Sequence, residues 1–142
     1  MGSKQRSAMK NFVTGDIRFA EFAVTNACVA RCSFCDIWKQ RPRVFTDRDK
    51  SLQVIDNLAD MGISHITLTG GEPLLHPHIV DFVKKCTSRH VHNSVLAAAP
   101  SLVTDEKLAL LGEAGNDMIS ISFEGGSRLA PPAPRCCGGQ FS

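Results

Sequence analysis

The sequence predicts an α/β fold built on a parallel sheet, and three observations carry that prediction. Short β-rich runs alternate with stretches of helical periodicity. Each helical stretch opens on a start signal, Thr46, Pro77 or Thr104. The spacing leaves one helix between successive strands, and such βαβ units cross over right-handed so that their strands run parallel.

Taken in order, residues 1 to 15 show no periodicity and are expected to form a disordered lead-in. Ile17 to Val24 reads as the first strand, with a cysteine-bearing loop behind it. Thr46 with Asp49 resembles a capping box, and Leu52, Ile55, Leu58 and Ala59 then recur at helical spacing until Gly62. His65 to Thr69 is the second strand, closed by Gly70-Gly71. Pro77 is expected as the first residue of a helix with Ile79, Val83 and Cys86 on one face.

A third repeat has the strand Ser94 to Ala98 and a helix capped by Thr104, with Asp105 and Glu106 in its first turn, Leu108 and Leu111 inward and Gly115 beyond its end. Met118 to Ser122 is the fourth strand. After Gly126 the pattern fails, with three prolines, Cys136-Cys137 and Gly138-Gly139 in the last sixteen residues. The expected organisation is therefore a lead-in at 1–15, a folded domain at 16–126 and an irregular tail at 127–142. The fourth strand is left as an open, apolar edge without a covering helix.

Composition fits that picture. With 142 residues, 43% hydrophobic and 21% charged, the chain falls in the range of one ordinary globular domain with a real core. No run approaches the roughly 20 apolar residues of a membrane span, and the polar, basic start lacks an apolar stretch behind it. A cytoplasmic protein without a membrane partner is the expectation. The tightest basic cluster, Lys39 to Arg43, lacks the interleaved aromatics of a nucleic-acid site and reads as a solvated loop. Six cysteines without a signal sequence point away from a disulfide framework and toward metal binding or catalysis.

Cys28, Cys32 and Cys35 place three thiols within eight residues of one loop. Thiolates are soft ligands suited to iron–sulfur clusters or zinc, each of which usually takes four. Three would leave one metal position open to a substrate or cofactor, whereas the bland reading is three buried or incidental cysteines. Cys86, on an apolar helix face, reads as a small core residue. The Gly70-Gly71-Glu72-Pro73 turn follows the second strand, with glycines that permit unusual torsions and N–H groups expected to face the mouth of the sheet. In a parallel sheet, loops leaving the C-terminal strand ends share one face, where active sites form.

The Cys-x3-Cys-x2-Cys spacing, with the aromatic Phe34 before its third cysteine, resembles the radical S-adenosylmethionine (radical SAM) superfamily. Gly70-Gly71-Glu72-Pro73 resembles that family's Gly-Gly-Glu motif, and Ser120 to Gly125 resembles its fourth-strand motif. The resemblance runs from about Ile17 to Gly126 and implies a partial (β/α) TIM-type barrel of about four parallel strands and three helices, truncated relative to the family's six. It implies a 4Fe-4S cluster on Cys28, Cys32 and Cys35, with S-adenosylmethionine at the open iron held by Phe34, Gly70, Gly71, Glu72 and Pro73, and by Ser122 and Glu124 as weaker candidates.

The implied activity is reductive cleavage of S-adenosylmethionine to a 5'-deoxyadenosyl radical that abstracts a hydrogen, an oxidoreductase chemistry. The implied partners are a small-molecule or peptide substrate and a reductant such as ferredoxin or flavodoxin. The alternative is an iron–sulfur or electron-transfer module without radical catalysis, because later strands that shape the substrate pocket are missing. The irregular tail suggests a truncated or frame-shifted gene product. The third strand end, Ala97 to Ser101, departs from the Asn-Gly turn frequent in the family. His76 and His78 read as capping or solvated residues rather than metal ligands, and Trp38 shields the cluster or packs.

Overall fold

In a computed structural model, the structure describes residues 17–32, 34–97 and 99–122. The expected lead-in, the tail, Glu124, Cys136 and Cys137 lie outside them. Four strands and three α-helices alternate: β1 (Phe19–Thr25), α1 (Arg48–Asp60), β2 (His65–Gly70), α2 (Ile79–Ser88), β3 (His92–Ala97), α3 (Asp105–Glu113) and β4 (Met118–Ile121). All neighbouring pairs are parallel, in the order β1-β2-β3-β4.

This order has a geometric consequence. When each strand is added beside the last by a crossover of the same hand, every helix falls on the same side of the sheet, and the sheet curls as part of a barrel. The core sits accordingly between β2 and β3, through Ile66, Leu68 and Val95, and the helices, through Ile55, Phe82 and Leu111. Each such buried side chain contributes about 1.5–3 kcal/mol of transfer free energy. The other face of the strands is polar: Thr67 and Ser94 share a hydroxyl contact of 2.8 Å, and His65 Nε2 lies 3.0 Å from Ser94 Oγ. Among the described residues no helix is long and apolar enough to cross a membrane.

Three sequence expectations shift. The first helix is capped by Asp47, whose carboxylate accepts the Lys50 N–H at 3.0 Å. Thr46 instead receives the Ser51 hydroxyl at 2.8 Å and lies against His76. The second helix starts at Ile79, not Pro77: His78 has φ −109° and ψ 18°, away from helical torsions, and Pro77-His78 form a turn closed by the Ile79 N–H on the His76 carbonyl at 3.2 Å. Leu108 is exposed rather than inward, since α3 lies at the margin of the helical layer and buries only Leu111. Thr104 caps α3 as expected, accepting the Lys107 N–H. At β4, Met118 and Ile121 are exposed while Ile119 packs on the core.

Candidate functional site

The C-terminal ends of β1, β2 and β4 open on one rim, and a cavity of about 210 Å³ lies there. The loop after β1 supplies Cys28, Cys32, Cys35, Phe34 and Trp38, with Ala30 and Ile37 between them. Gly70 and Gly71 enter from the end of β2, and Ser122 from the end of β4. Seven of the sequence-derived site residues, the three cysteines, Phe34, Gly70, Gly71 and Ser122, thus share one cavity. Glu72 and Pro73 do not line it, and Glu124 lies outside the described residues.

The cysteine loop is closed by two polar residues that sequence reasoning passed over. Asn26 donates through Nδ2 to the Pro42 carbonyl at 3.1 Å and accepts the Val44 N–H on Oδ1 at 2.6 Å. Thr25 donates its hydroxyl to the Val44 carbonyl at 2.7 Å and accepts the Ala27 N–H at 2.9 Å. Residues 40–44 are thereby tied back to the end of β1. A Thr-Asn pair one residue ahead of the first cysteine, separated from it by Ala27, was the available signal, because both side chains favour bonds to backbone over continuing a strand.

The two glycines have separate reasons. Gly70 has φ of 131°, a torsion that side-chain-bearing residues rarely adopt, and an added Cβ would stand 2.2 Å from the Thr25 carbonyl oxygen. Gly71 has no such torsion, yet its Cβ would stand 2.3 Å from the Ala27 carbonyl oxygen. It is needed because two backbones nearly touch. The N–H groups expected to face the mouth turn the other way: Gly71 donates to Thr25 O and Glu72 to Ala27 O, both at 2.7 Å. The second motif thus stitches the β2 end to the cysteine loop.

Glu72 is fully buried, and its carboxylate accepts the Leu74 N–H at 3.0 Å on one oxygen and the Ala99 N–H at 2.6 Å on the other. It joins the ends of β2 and β3, which positions the glycines beside it.

Cys28 is buried, whereas Cys32 and Cys35 are partly exposed, and all are free thiols. Burial pushes the Cys28 thiol above its ordinary range; a backbone hydrogen bond at Ala30 opposes this, and Glu72, Cys32 and Cys35 add to the rise. The thiol keeps its proton until a metal displaces it. Among the described residues no three His, Cys, Asp or Glu side chains converge closely enough to hold a single metal ion.

Cys86 lies in the core, its thiol pushed up to about 12 by burial, and is inert. His76 is buried against Phe82, with Nε2 3.1 Å from the Thr46 carbonyl oxygen, and caps the turn before α2. His78 faces Asp81 at 3.4 Å.

Comparison with known proteins follows the same residues. The radical SAM superfamily profile matches residues 22–138. A GTP 3',8-cyclase of Lactiplantibacillus plantarum is 33% identical over 110 residues, covering 75% of this chain and 33% of that protein. One from Chlorobaculum tepidum is 32% identical over 126 residues, covering 84% and 38%. A PqqA peptide cyclase of Bradyrhizobium diazoefficiens is 29% identical over 129 residues, covering 88% and 33%. The chain thus spans between 33% and 38% of the length of these relatives.

Solved structures share the fold at lower identity. BtrN in complex with AdoMet and 2-DOIA superposes with a TM-score of 0.69 at 18% identity, covering 81% of this chain and 49% of that one. Streptococcus suis SuiB bound to S-adenosylmethionine gives 0.66 at 16%, covering 82% and 27%.

Proposed function

Because the chain belongs to the radical SAM superfamily, whose members use a 4Fe-4S cluster and S-adenosylmethionine, we propose that its rim cavity holds both. Cys28, Cys32 and Cys35 bind three irons and leave the fourth for the cofactor. The observation that carries this reading is the joint lining of one cavity by the three cysteines and Gly70-Gly71, from loops 42 residues apart at the first cysteine and first glycine. Three thiols are one short of the four ligands that a structural zinc takes, which suits a cluster with one iron left open.

When bound, the cluster would supply one electron to the sulfonium of S-adenosylmethionine, the chemistry that yields methionine and a 5'-deoxyadenosyl radical able to take a hydrogen atom from substrate. The chain's own residues do the positioning. Gly70 and Gly71 let the β2 end close on the cysteine loop. Glu72 fixes that turn from beneath, through its bonds to Leu74 and Ala99, with Pro73 opening the short 3-10 turn Pro73–Leu75. Phe34 and Ser122 line the cavity, and Glu124 remains the further cofactor-contact candidate of the fourth-strand motif. The domain is proposed to span 16–126, of which the structure describes 17–32, 34–97 and 99–122, and the substrate is a small molecule or peptide, in keeping with relatives named as a nucleotide cyclase and a peptide cyclase.

Anaerobic reconstitution tests this. The wild-type chain is expected to take up about four irons and four sulfides, and Cys32→Ala to lose most of them. Full iron retention by Cys32→Ala would contradict the ligand assignment. Release of methionine on reduction with S-adenosylmethionine separates cleavage from a cluster-only module.

A further inference from the structure

We propose that Asn26 is a positioning residue for the iron–sulfur cluster: its side-chain amide clamps the two ends of the cysteine loop and so sets how firmly the three thiols keep a cluster, an inference that rests on the cluster reading above. The first observation is where Asn26 stands. Its backbone N–H donates to the Val44 carbonyl at 3.2 Å, while the carbonyls of its two neighbours, Thr25 and Ala27, accept the Gly71 and Glu72 N–H groups at 2.7 Å. The end of β1, the end of β2 and the returning residues 42–44 therefore meet at one residue. Cys28 follows two positions later.

The second observation is chemical. On the returning segment Pro42 has a carbonyl but no N–H, and Val44 presents its N–H. The Asn26 amide meets the first through Nδ2 at 3.1 Å and the second through Oδ1 at 2.6 Å. A carboxylate of the same shape would accept from Val44 and offer nothing to Pro42. The site calls for a donor and an acceptor on one short side chain, which asparagine supplies.

The third is the path from the clamp to the thiols. Arg41 Nη1, from the residue before Pro42, donates to the Trp38 carbonyl at 3.0 Å, and Trp38 Nε1 donates to the Cys32 carbonyl at 3.3 Å. The same Cys32 oxygen takes the Cys35 N–H at 3.4 Å. A shift of the returning segment thus reaches the backbone of two ligands. The clamp itself is exposed, and Asn26, Pro42 and Val44 stand outside the hydrophobic core, so its loss opens the loop locally and leaves the domain folded. A loop whose ends are already joined gives up less freedom when it wraps a metal. Groups that orient metal ligands from outside typically change metal affinity by about ten- to a hundredfold.

The test compares the full wild-type chain with Asn26→Ala, which loses both bonds, and Asn26→Asp, which keeps the acceptor and loses the donor. In the metal-free chain, N-ethylmaleimide labelling is read peptide by peptide. The buried Cys28 thiol should react about tenfold faster in Asn26→Ala, while Cys86, in the core beneath α2, keeps the wild-type rate. In the reconstituted chain, anaerobic loss of cluster iron to a ferrous chelator should be about ten- to a hundredfold faster. Asn26→Asp should fall between wild type and Asn26→Ala in both readouts, and it carries the comparison alone should Asn26→Ala not fold.

Cys28 and Cys86 accelerating together would make Asn26 an ordinary stabilising residue and overturn the proposal. Cluster loss at the wild-type rate in the variants would overturn it too, and either result leaves the cluster reading intact. Wild-type behaviour of Asn26→Asp would refute the two-sided clamp. A wild-type chain that loads no iron would overturn the cluster reading and the proposal with it.

Discussion

Gly71→Ala is the sharpest structural perturbation of the site. The added methyl would stand 2.3 Å from the Ala27 carbonyl oxygen, 2.7 Å from its carbon and 2.9 Å from the Asn26 carbonyl carbon, all backbone atoms that cannot rotate away. Relief requires the cysteine loop to retreat by about 1 Å, which stretches the Gly71–Thr25 and Glu72–Ala27 hydrogen bonds, both 2.7 Å. Overpacking costs about 1–3 kcal/mol, and each weakened bond adds about 0.5–1.5 kcal/mol. The expected loss is about 2–6 kcal/mol, a large share of the roughly 5–15 kcal/mol that holds a domain together.

Gly112→Ala is the matched control: within α3, with nothing inside 4 Å of the new methyl and no positive φ, it should stabilise by up to about 1 kcal/mol. Urea unfolding followed by circular dichroism measures both, and the labelling rate of the Cys28 thiol reports the loop. If Gly71→Ala unfolds within about 0.5 kcal/mol of wild type with Cys28 still protected, the close approach of the two loops is wrong.

Two further substitutions probe the supports of the site. Glu72→Gln keeps the shape but offers a single acceptor oxygen to two N–H groups, so one of Leu74 and Ala99 would face an amide donor; a loss of about 1–3 kcal/mol in urea unfolding is expected. An unchanged midpoint would mean that the carboxylate does not bridge the strand ends. Burial holds His76 below its ordinary 6.5, with the nearby His78 acting in the same direction and a backbone bond to Thr46 opposing. The unfolded chain therefore binds a proton first as pH falls. The stability due to neutral His76 is complete above about pH 6.5 and is lost as pH drops toward its depressed folded value. His76→Gln should flatten that part of the melting-temperature profile, and an identical profile in the variant would refute the assignment.

Much of the fold was legible because helix and strand periodicities alternate so regularly, and the parallel order follows once each crossover has one hand. The cysteine and glycine motifs both lie at strand ends and line one cavity. What sequence could not show was which groups meet across the fold. Thr46 and Asp47 both suit a helix cap, and only the presence of Ser51 and His76 beside the Thr46 hydroxyl decides between them. Gly71 reads as a turn glycine, whereas its reason is the Ala27 backbone contributed by another loop. Asn26 has no periodicity to announce it, and its partners lie sixteen and eighteen residues ahead.

The central claim is that this cavity places S-adenosylmethionine on an open iron of a cluster held by Cys28, Cys32 and Cys35. Its most direct test is the electron paramagnetic resonance spectrum of the reconstituted, reduced chain with and without S-adenosylmethionine. A reduced four-iron signal that shifts when the cofactor is added is the predicted result; a cluster signal that S-adenosylmethionine leaves unchanged would contradict it.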